Sequence, residues 1–178
     1  METNKFISNP FKPILNPTMI ERNYFISQIP EISIELRNAI YHLTPEQFHY
    51  SYRPGGWTIQ QIVHHVADNN VNAYLRFKRA LTEEEPTASS YDQDAWAALD
   101  EYNHLPIEDS ILLIETLHRR FFILCNSLQP DDFHKKLRTQ TLDSLTLDIA
   151  LQRLIWHDRH HIAHIHLAVA NNHLVGGS

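Results

Sequence analysis

Three long stretches of the chain repeat apolar residues at steps of three and four, and this period restricts the fold more than any other feature. Ile59, Ile62, Val63, Val66, Ala73, Tyr74, Phe77 and Leu81 form one series. Ile107, Ile111, Ile114, Leu117, Phe121, Leu124 and Leu128 form a second, and Leu147, Leu151, Leu154, Ile165 and Ala168 a third. Each is the stripe of an amphipathic helix. No run of alternating strands accompanies them, and the 178 residues include only 4 glycines. The expected fold is all-α, a bundle of four helices around one core.

The punctuation of the chain sets the expected boundaries. Pro10, Pro13 and Pro17 make residues 1–17 an extended N-terminal arm, because proline gives no backbone donor and restricts its predecessor. Residues 18–178 form a single four-helix-bundle domain. Its first helix starts near Thr18 and runs to about His42, with Pro30 expected to kink it or divide it in two. Thr44-Pro45-Glu46-Gln47 opens a short helical turn. Arg53-Pro54-Gly55-Gly56 breaks the chain before helix two, which ends near Leu81. Helix three spans about Pro106 to Leu128, and helix four about Thr146 to Asn171. The connection 83–106 has no sustained period, yet it carries Tyr91, Trp96 and Tyr102, so it should pack over the bundle. A link this long lets helix three run parallel to helix two. Residues 130–144 form a second connection with no readable structure.

The bulk properties exclude several classes. A net charge of −6, spread without long runs, argues against a nucleic-acid binder. No stretch approaches the roughly 18 uninterrupted apolar residues of a membrane span. The start Met1-Glu2-Thr3-Asn4-Lys5 lacks the pattern of a signal peptide. The expected location is the cytoplasm, without membrane partners. Cys125 is the single cysteine and sits in an apolar run, so it reads as a core residue rather than a nucleophile.

Histidine is abundant, at 13 residues, and the spacings carry the chemistry. At about 100° per residue, His157, His161 and His164 lie along one side of helix four. His161 is near the centre of the apolar stripe, where a buried imidazole needs partners. His160 and His166 project more towards the outside. Histidines four apart sit one turn apart and can converge on one ion; neutral imidazole suits zinc, nickel, copper or ferrous iron. Taken alone, such a pair is also common as one surface and one core residue. A second pair, His64-His65, lies on helix two, one residue on each flank of its stripe. The flank of His65 also carries Thr58, Asn69, Asn72 and Arg76, a polar column suited to a wet pocket, which favours His65 as a third ligand.

Asp158 falls near the middle of the helix-four stripe. An inward carboxylate is costly unless paired. It could orient a ligand histidine, pair with an arginine such as Arg76, or act as a base. The zincin pattern His-Glu-x-x-His is absent here, since aspartate follows His157.

Arg53-Pro54-Gly55-Gly56-Trp57-Thr58-Ile59-Gln60-Gln61-Ile62-Val63-His64-His65-Val66-Ala67-Asp68, Ala73-Tyr74-Leu75-Arg76-Phe77-Lys78 and Trp156-His157-Asp158-Arg159-His160-His161-Ile162-Ala163-His164-Ile165 together resemble the DinB superfamily. Within it they are most similar to the YfiT-type branch of metal-dependent hydrolases, related to the bacillithiol transferases. The resemblance covers about residues 10–172. It implies an up-down-down-up four-helix bundle, often a homodimer. It also implies one divalent metal ion per chain, zinc or nickel, held by His65, His157 and His161, with His164 outside the ligand set. It supplies no general base. The expected function is a metal-dependent hydrolase-like enzyme acting on a small molecule. The alternatives are a metal-dependent S-transferase for a low-molecular-weight thiol, and a non-catalytic metal-binding bundle.

Overall fold

A computed structural model describes residues 10–88, 90–139 and 144–173. Four long helices form the bundle: α1 (Met19–Ile40), α2 (Ile59–Thr82), α5 (Ile107–Ser127) and α6 (Leu147–His173). Two short helices, α3 (Gln93–Ala97) and α4 (Glu101–His104), lie between α2 and α5. Side-chain pairs fix the directions. His64 meets Ser110, Asn70 meets His118 and Phe77 packs on Phe121, so α2 and α5 run parallel. Trp57 stacks on His161, His65 meets His157 and Asn70 reaches Asp158, so α6 runs antiparallel to α2. Arg22 binds Asp148 and Arg159 binds Glu35, so α1 runs parallel to α6. The topology is up-down-down-up. Consecutive helices α1 and α2 are diagonal, each packed between α5 and α6.

Local chemistry starts both helices of the N-terminal half. Thr18 and Glu21 form a reciprocal capping box at α1, as do Thr58 and Gln61 at α2. Gly55 has φ +67°, which suits glycine, and a Cβ on Gly56 would lie 2.8 Å from Arg53 Cγ. The break before α2 therefore demands both glycines. Thr44-Pro45 leads into a single 3₁₀ turn, Gln47–His49.

The helix is not divided at Pro30: α1 runs from Met19 to Ile40 as one element with the proline inside it. An interior proline costs about 3 kcal/mol. Ile26, Ile29, Ile32 and Leu36 are all buried around it, and each contributes about 1.5–3 kcal/mol. Packing outweighs the lost hydrogen bond.

The two connections have structure that the apolar period does not reveal. Tyr102 of α4 is buried, and its hydroxyl donates to Asp68 on α2. Gln60 and Gln61 of α2 donate to the carbonyls of Tyr102 and Ala97, at 2.7 and 2.8 Å. Trp96, expected to pack, is instead 36% exposed, and Tyr91 stacks on it. After α5, a 3₁₀ turn at Pro130–His134 leads into a small antiparallel hairpin, β1 (Lys136–Leu137) with β2 (Leu145–Thr146). A bridge between Thr87 and Arg138 ties this hairpin to the first connection. The described part of the N-terminal arm lies along α6: the Ile14 backbone N–H donates to the side-chain oxygen of Gln152 and its carbonyl accepts from the same amide, and Phe11 packs on Trp156. No helix among the described residues is long and apolar enough to cross a membrane. Cys125 is buried and its thiol is pushed up to about 12 by burial, which suits a core role.

One ion pair holds the ends of α1 and α6 together. Arg22 grips both oxygens of Asp148 at 2.7 and 2.8 Å, and both residues are buried. Removing one partner leaves the other charge buried without compensation. Asp148→Ala should cost about 3–5 kcal/mol in urea unfolding. Glu83→Gln, which breaks the exposed Arg79–Glu83 pair, should cost less than about 1 kcal/mol. Equal costs for the two would show that the buried pair does not anchor the helix ends.

Candidate metal centre

The capping box fixes the register of α2. Ile59, Ile62, Val63 and Val66 then face the core with no exposed surface. The same register separates the two adjacent histidines by one helical step. His64 turns to α5, where Nδ1 meets Ser110 Oγ at 2.8 Å. His65 turns to α6, where its Nε2 lies 3.2 Å from His157 Nε2. His161, one turn further along α6, completes a group whose ligating atoms all lie within 4.8 Å of one another. Among the described residues no other such cluster of histidine, cysteine or acidic groups occurs.

A hydrogen bond between His65 and His157 would account for that pair alone. It would not account for His161, which is buried with Nδ1 lacking a hydrogen-bond partner among the described residues. One ion would take a nitrogen from all three rings. Tetrahedral ligands at the usual zinc–nitrogen length stand about 3.3 Å apart, close to the observed 3.2 Å. The donor set therefore fits a divalent transition metal.

The surroundings favour neutral imidazoles with lone pairs available. Burial, then the nearby His157, drives His65 down to about 3. His161 is pushed well below its ordinary value by burial, with His157 and His65 adding to the effect. Trp57 covers one side, with its ring 4.6 Å from His65 and stacked 6.0 Å from His161.

Asp158 is fully buried and directs His157. Its Oδ1 lies 3.1 Å from His157 Nδ1. A carboxylate only accepts, so with the proton on Nδ1 the ring donates to Asp158 and leaves Nε2 for a ligand role; Asn69 Nδ2 also lies 3.1 Å from the same Nδ1. Oδ2 accepts from Asn70 Nδ2 at 2.9 Å. Asn70 Oδ1 in turn meets His118 Nε2 at 2.9 Å. Burial alone would raise the Asp158 carboxyl, but the His118 and His157 imidazoles hold it below the usual carboxylate range. Of the roles open to Asp158 in the sequence, orientation of a histidine is the one the geometry realises. Arg76 lies elsewhere, in the wall of a cavity.

Two residues of this network, Asn70 and His118, were absent from the sequence reading. A signal existed: both are polar residues on apolar stripes, Asn70 one turn after Val66 and His118 between Ile114 and Phe121. His160, expected to project outwards, is buried and stacks on Trp156. The docked N-terminal arm covers that side of α6, and helical periodicity cannot register a segment from elsewhere in the chain. His164 lies outside the cluster of ligating atoms, its ring edge-on to His161 at 5.5 Å, and stacks on Tyr52, with ring centroids 4.0 Å apart.

A cavity of about 280 Å³ adjoins the cluster. His157 lies in its wall with Asn69, Arg76 and Phe77 from α2, Tyr91 from the first connection, and Arg153 and Leu154 from α6. The trio thus has a covered side at Trp57 and an approach at His157.

Fold and cluster together define a helical-bundle protein with a three-histidine cluster beside a cavity of about 280 Å³. The chain belongs to the DinB superfamily, whose family model matches residues 35–165. A relative from Oceanobacillus iheyensis, named "putative metal-dependent hydrolase", is 42% identical over 148 residues, 83% of this chain and 86% of that protein. A Bacillus cereus protein of the same name is 40% identical over 141 residues, 79% and 81% of the two chains. The solved structure of YfiT from Bacillus subtilis, described as a probable metal-dependent hydrolase with an unusual four-helix bundle topology, superposes with a TM-score of 0.90 at 34% identity. It covers 93% of this chain and 95% of YfiT. A mycothiol-dependent maleylpyruvate isomerase shares the fold at a TM-score of 0.66 and 16% identity, over 81% of this chain and 60% of that one.

The geometry sets an expected order of metal retention. His65→Ala, His157→Ala and His161→Ala should each lose bound metal, whereas His164→Ala should keep wild-type stoichiometry. Asp158→Asn should keep metal but bind it about 10–100-fold more weakly. Elemental analysis after purification and a chelator competition read both. A His157→Ala protein with full metal content would sink the assignment.

The buried neutral histidines also fix the sign of an acid effect. His65 has its folded pKa near 3 against an unfolded value near 6.5, so the unfolded chain binds more protons between them. Its contribution is complete above about pH 6.5 and is lost as pH falls towards 3. The urea midpoint of chelator-treated protein should therefore drop from pH 7 to pH 4, and less steeply in His65→Gln. A midpoint that rises over this range would contradict the burial of neutral rings.

Proposed function

We propose that the protein is a metal-dependent enzyme of the hydrolase type. His65, His157 and His161 would hold one divalent ion, zinc or nickel, at the edge of the adjoining cavity. The observation that carries this reading is a trio of histidine ligands, rather than a closed set of four, at the edge of a cavity of about 280 Å³. Structural zinc sites are usually closed by four protein ligands, and catalytic ones keep a position open. The names of the relatives support the same class. An ion bound there supplies Lewis-acid polarisation of a substrate group and activation of water or a thiol.

The protein's own residues do the rest. Asp158 holds the His157 proton at Nδ1 and keeps the ring aimed at the cluster. Trp57 shields His65 and His161 from solvent on the far side. The cavity admits a small molecule past His157.

One observation favours a second reading, an S-transferase that uses a low-molecular-weight thiol. Among the described residues the cavity wall contains no aspartate or glutamate, and both oxygens of Asp158 are engaged by Asn70 and His157. None of these carboxylates stands ready as a general base, which hydrolysis would use and a thiol, once ionised, would not need.

A panel of small esters and amides, assayed with and without cysteine or bacillithiol, separates the two. Hydrolysis without thiol, abolished by a chelator and reduced at least about a hundredfold in His161→Ala, is the expected result. Turnover only with thiol assigns the transferase. No chelator-sensitive turnover in either arm, across hydrolysable and electrophilic substrates, would count against an enzyme.

A further inference from the structure

The cavity beside His157 has a charge pattern that the metal cluster does not explain. Arg76 of α2 and Arg153 of α6 both line it, on antiparallel helices that face each other. Among the described residues no acidic one stands in its wall. Arg76 is half-buried, and burial lowers its guanidinium from its ordinary value, with Tyr91 acting against the shift and the charge of Arg153 adding to it. Two like charges brought to one small cavity repel, and burial makes the arrangement costlier. A negatively charged ligand between them removes both penalties. A guanidinium has five donors in a planar fork, so each can grip an oxyanion while keeping other contacts.

The rest of the wall defines the remainder of the ligand. Phe77, Leu137 and Leu154 give it an apolar side, and Tyr91 a phenol. His157 stands in the same wall. A volume of about 280 Å³ is at the small end of ligand pockets, so the ligand has the size of a small metabolite.

We propose that Arg76 and Arg153 form an oxyanion-binding subsite, so that the substrate is a small molecule carrying a carboxylate or phosphate, gripped at that end while its reactive group reaches the histidine cluster. This rests on the reading of the trio as a metal centre only for the second half; anion binding by the arginines stands apart from it.

The test uses the purified full-length protein, titrated calorimetrically at low ionic strength with succinate and, separately, with inorganic phosphate. Metal per chain is measured on the same samples. Wild type should bind one or both probes, and the tighter one identifies the oxyanion. Arg76→Gln and Arg153→Gln should each weaken that binding by about tenfold or more, with metal content unchanged. Lys78→Gln, an exposed cation of α2 outside the cavity wall, should leave it unaltered. Arg153 is exposed, so its variant reports on binding even if Arg76→Gln fails to fold. Wild-type affinity in Arg153→Gln, or no binding of either probe at millimolar concentration, overturns the proposal. Arginine-dependent binding by a chain that takes up no metal would retain the anion subsite and sink the metal-centred function. Full metal content with arginine-independent binding would do the reverse.

Discussion

The carboxylate of Asp158 has no exposed surface and lies where three of the four long helices meet. An ionised group in that position is tolerated only with several polar partners in place. Asn70 comes from α2, His118 from α5 through Asn70, and His157 from α6 itself. A slip of one residue in the register of any of these helices would leave the charge uncompensated. The constraint therefore acts on the whole bundle: it fixes how far each helix is rotated and how far along its neighbours it sits. The alignment of His65 with His157 and His161 follows from that setting.

The two ends of the molecule are secured differently. Near the start of α6, Arg22 and Asp148 form a buried bidentate pair that locks α1 against it. Near the cluster, rings replace charges: Trp57, Tyr52 and Trp156 stack on His161, His164 and His160. Planar contacts of this kind hold imidazoles in place without adding a charge that would compete with a cation. The acidic groups that could have closed the cluster to four ligands are kept away from it or, in Asp158, committed to its far side.

The long helices and their boundaries were legible in the sequence because each stripe repeats over several turns, and because capping boxes and the Gly55-Gly56 turn mark their starts. The trio was legible only in part. Spacing on helix four offered His157, His161 and His164 without choosing among them, and the pair on helix two was decided by its polar flank. The structure brings the expected three together for a reason visible in the register of α2. What stayed hidden depends on contacts between distant segments. Pro30 passes through an intact helix because of the packing around it. His160 is buried beside Trp156, on which Phe11 of the N-terminal arm packs. Asn70 and His118 matter because two helices carry them to one carboxylate. None of these follows from periodicity within a single segment.

The histidines stand on α2 and α6, whose positions the core dictates, whereas much of the cavity mouth is built from the stretch that carries Tyr91 and from the small hairpin with Leu137 and Leu145. Leu137 and Leu145 belong to the core, but Ser90, Tyr91, Gln93 and Thr139 of the same connections lie outside it, so substitutions at those four disturb little of the packing. Under the proposed function, ligand preference can therefore drift in a lineage through these four positions at small cost to folding, with the histidine trio held constant. The same division offers a route to redesign: exchanging those residues between members of the superfamily would alter what the cavity recognises while leaving the trio in place.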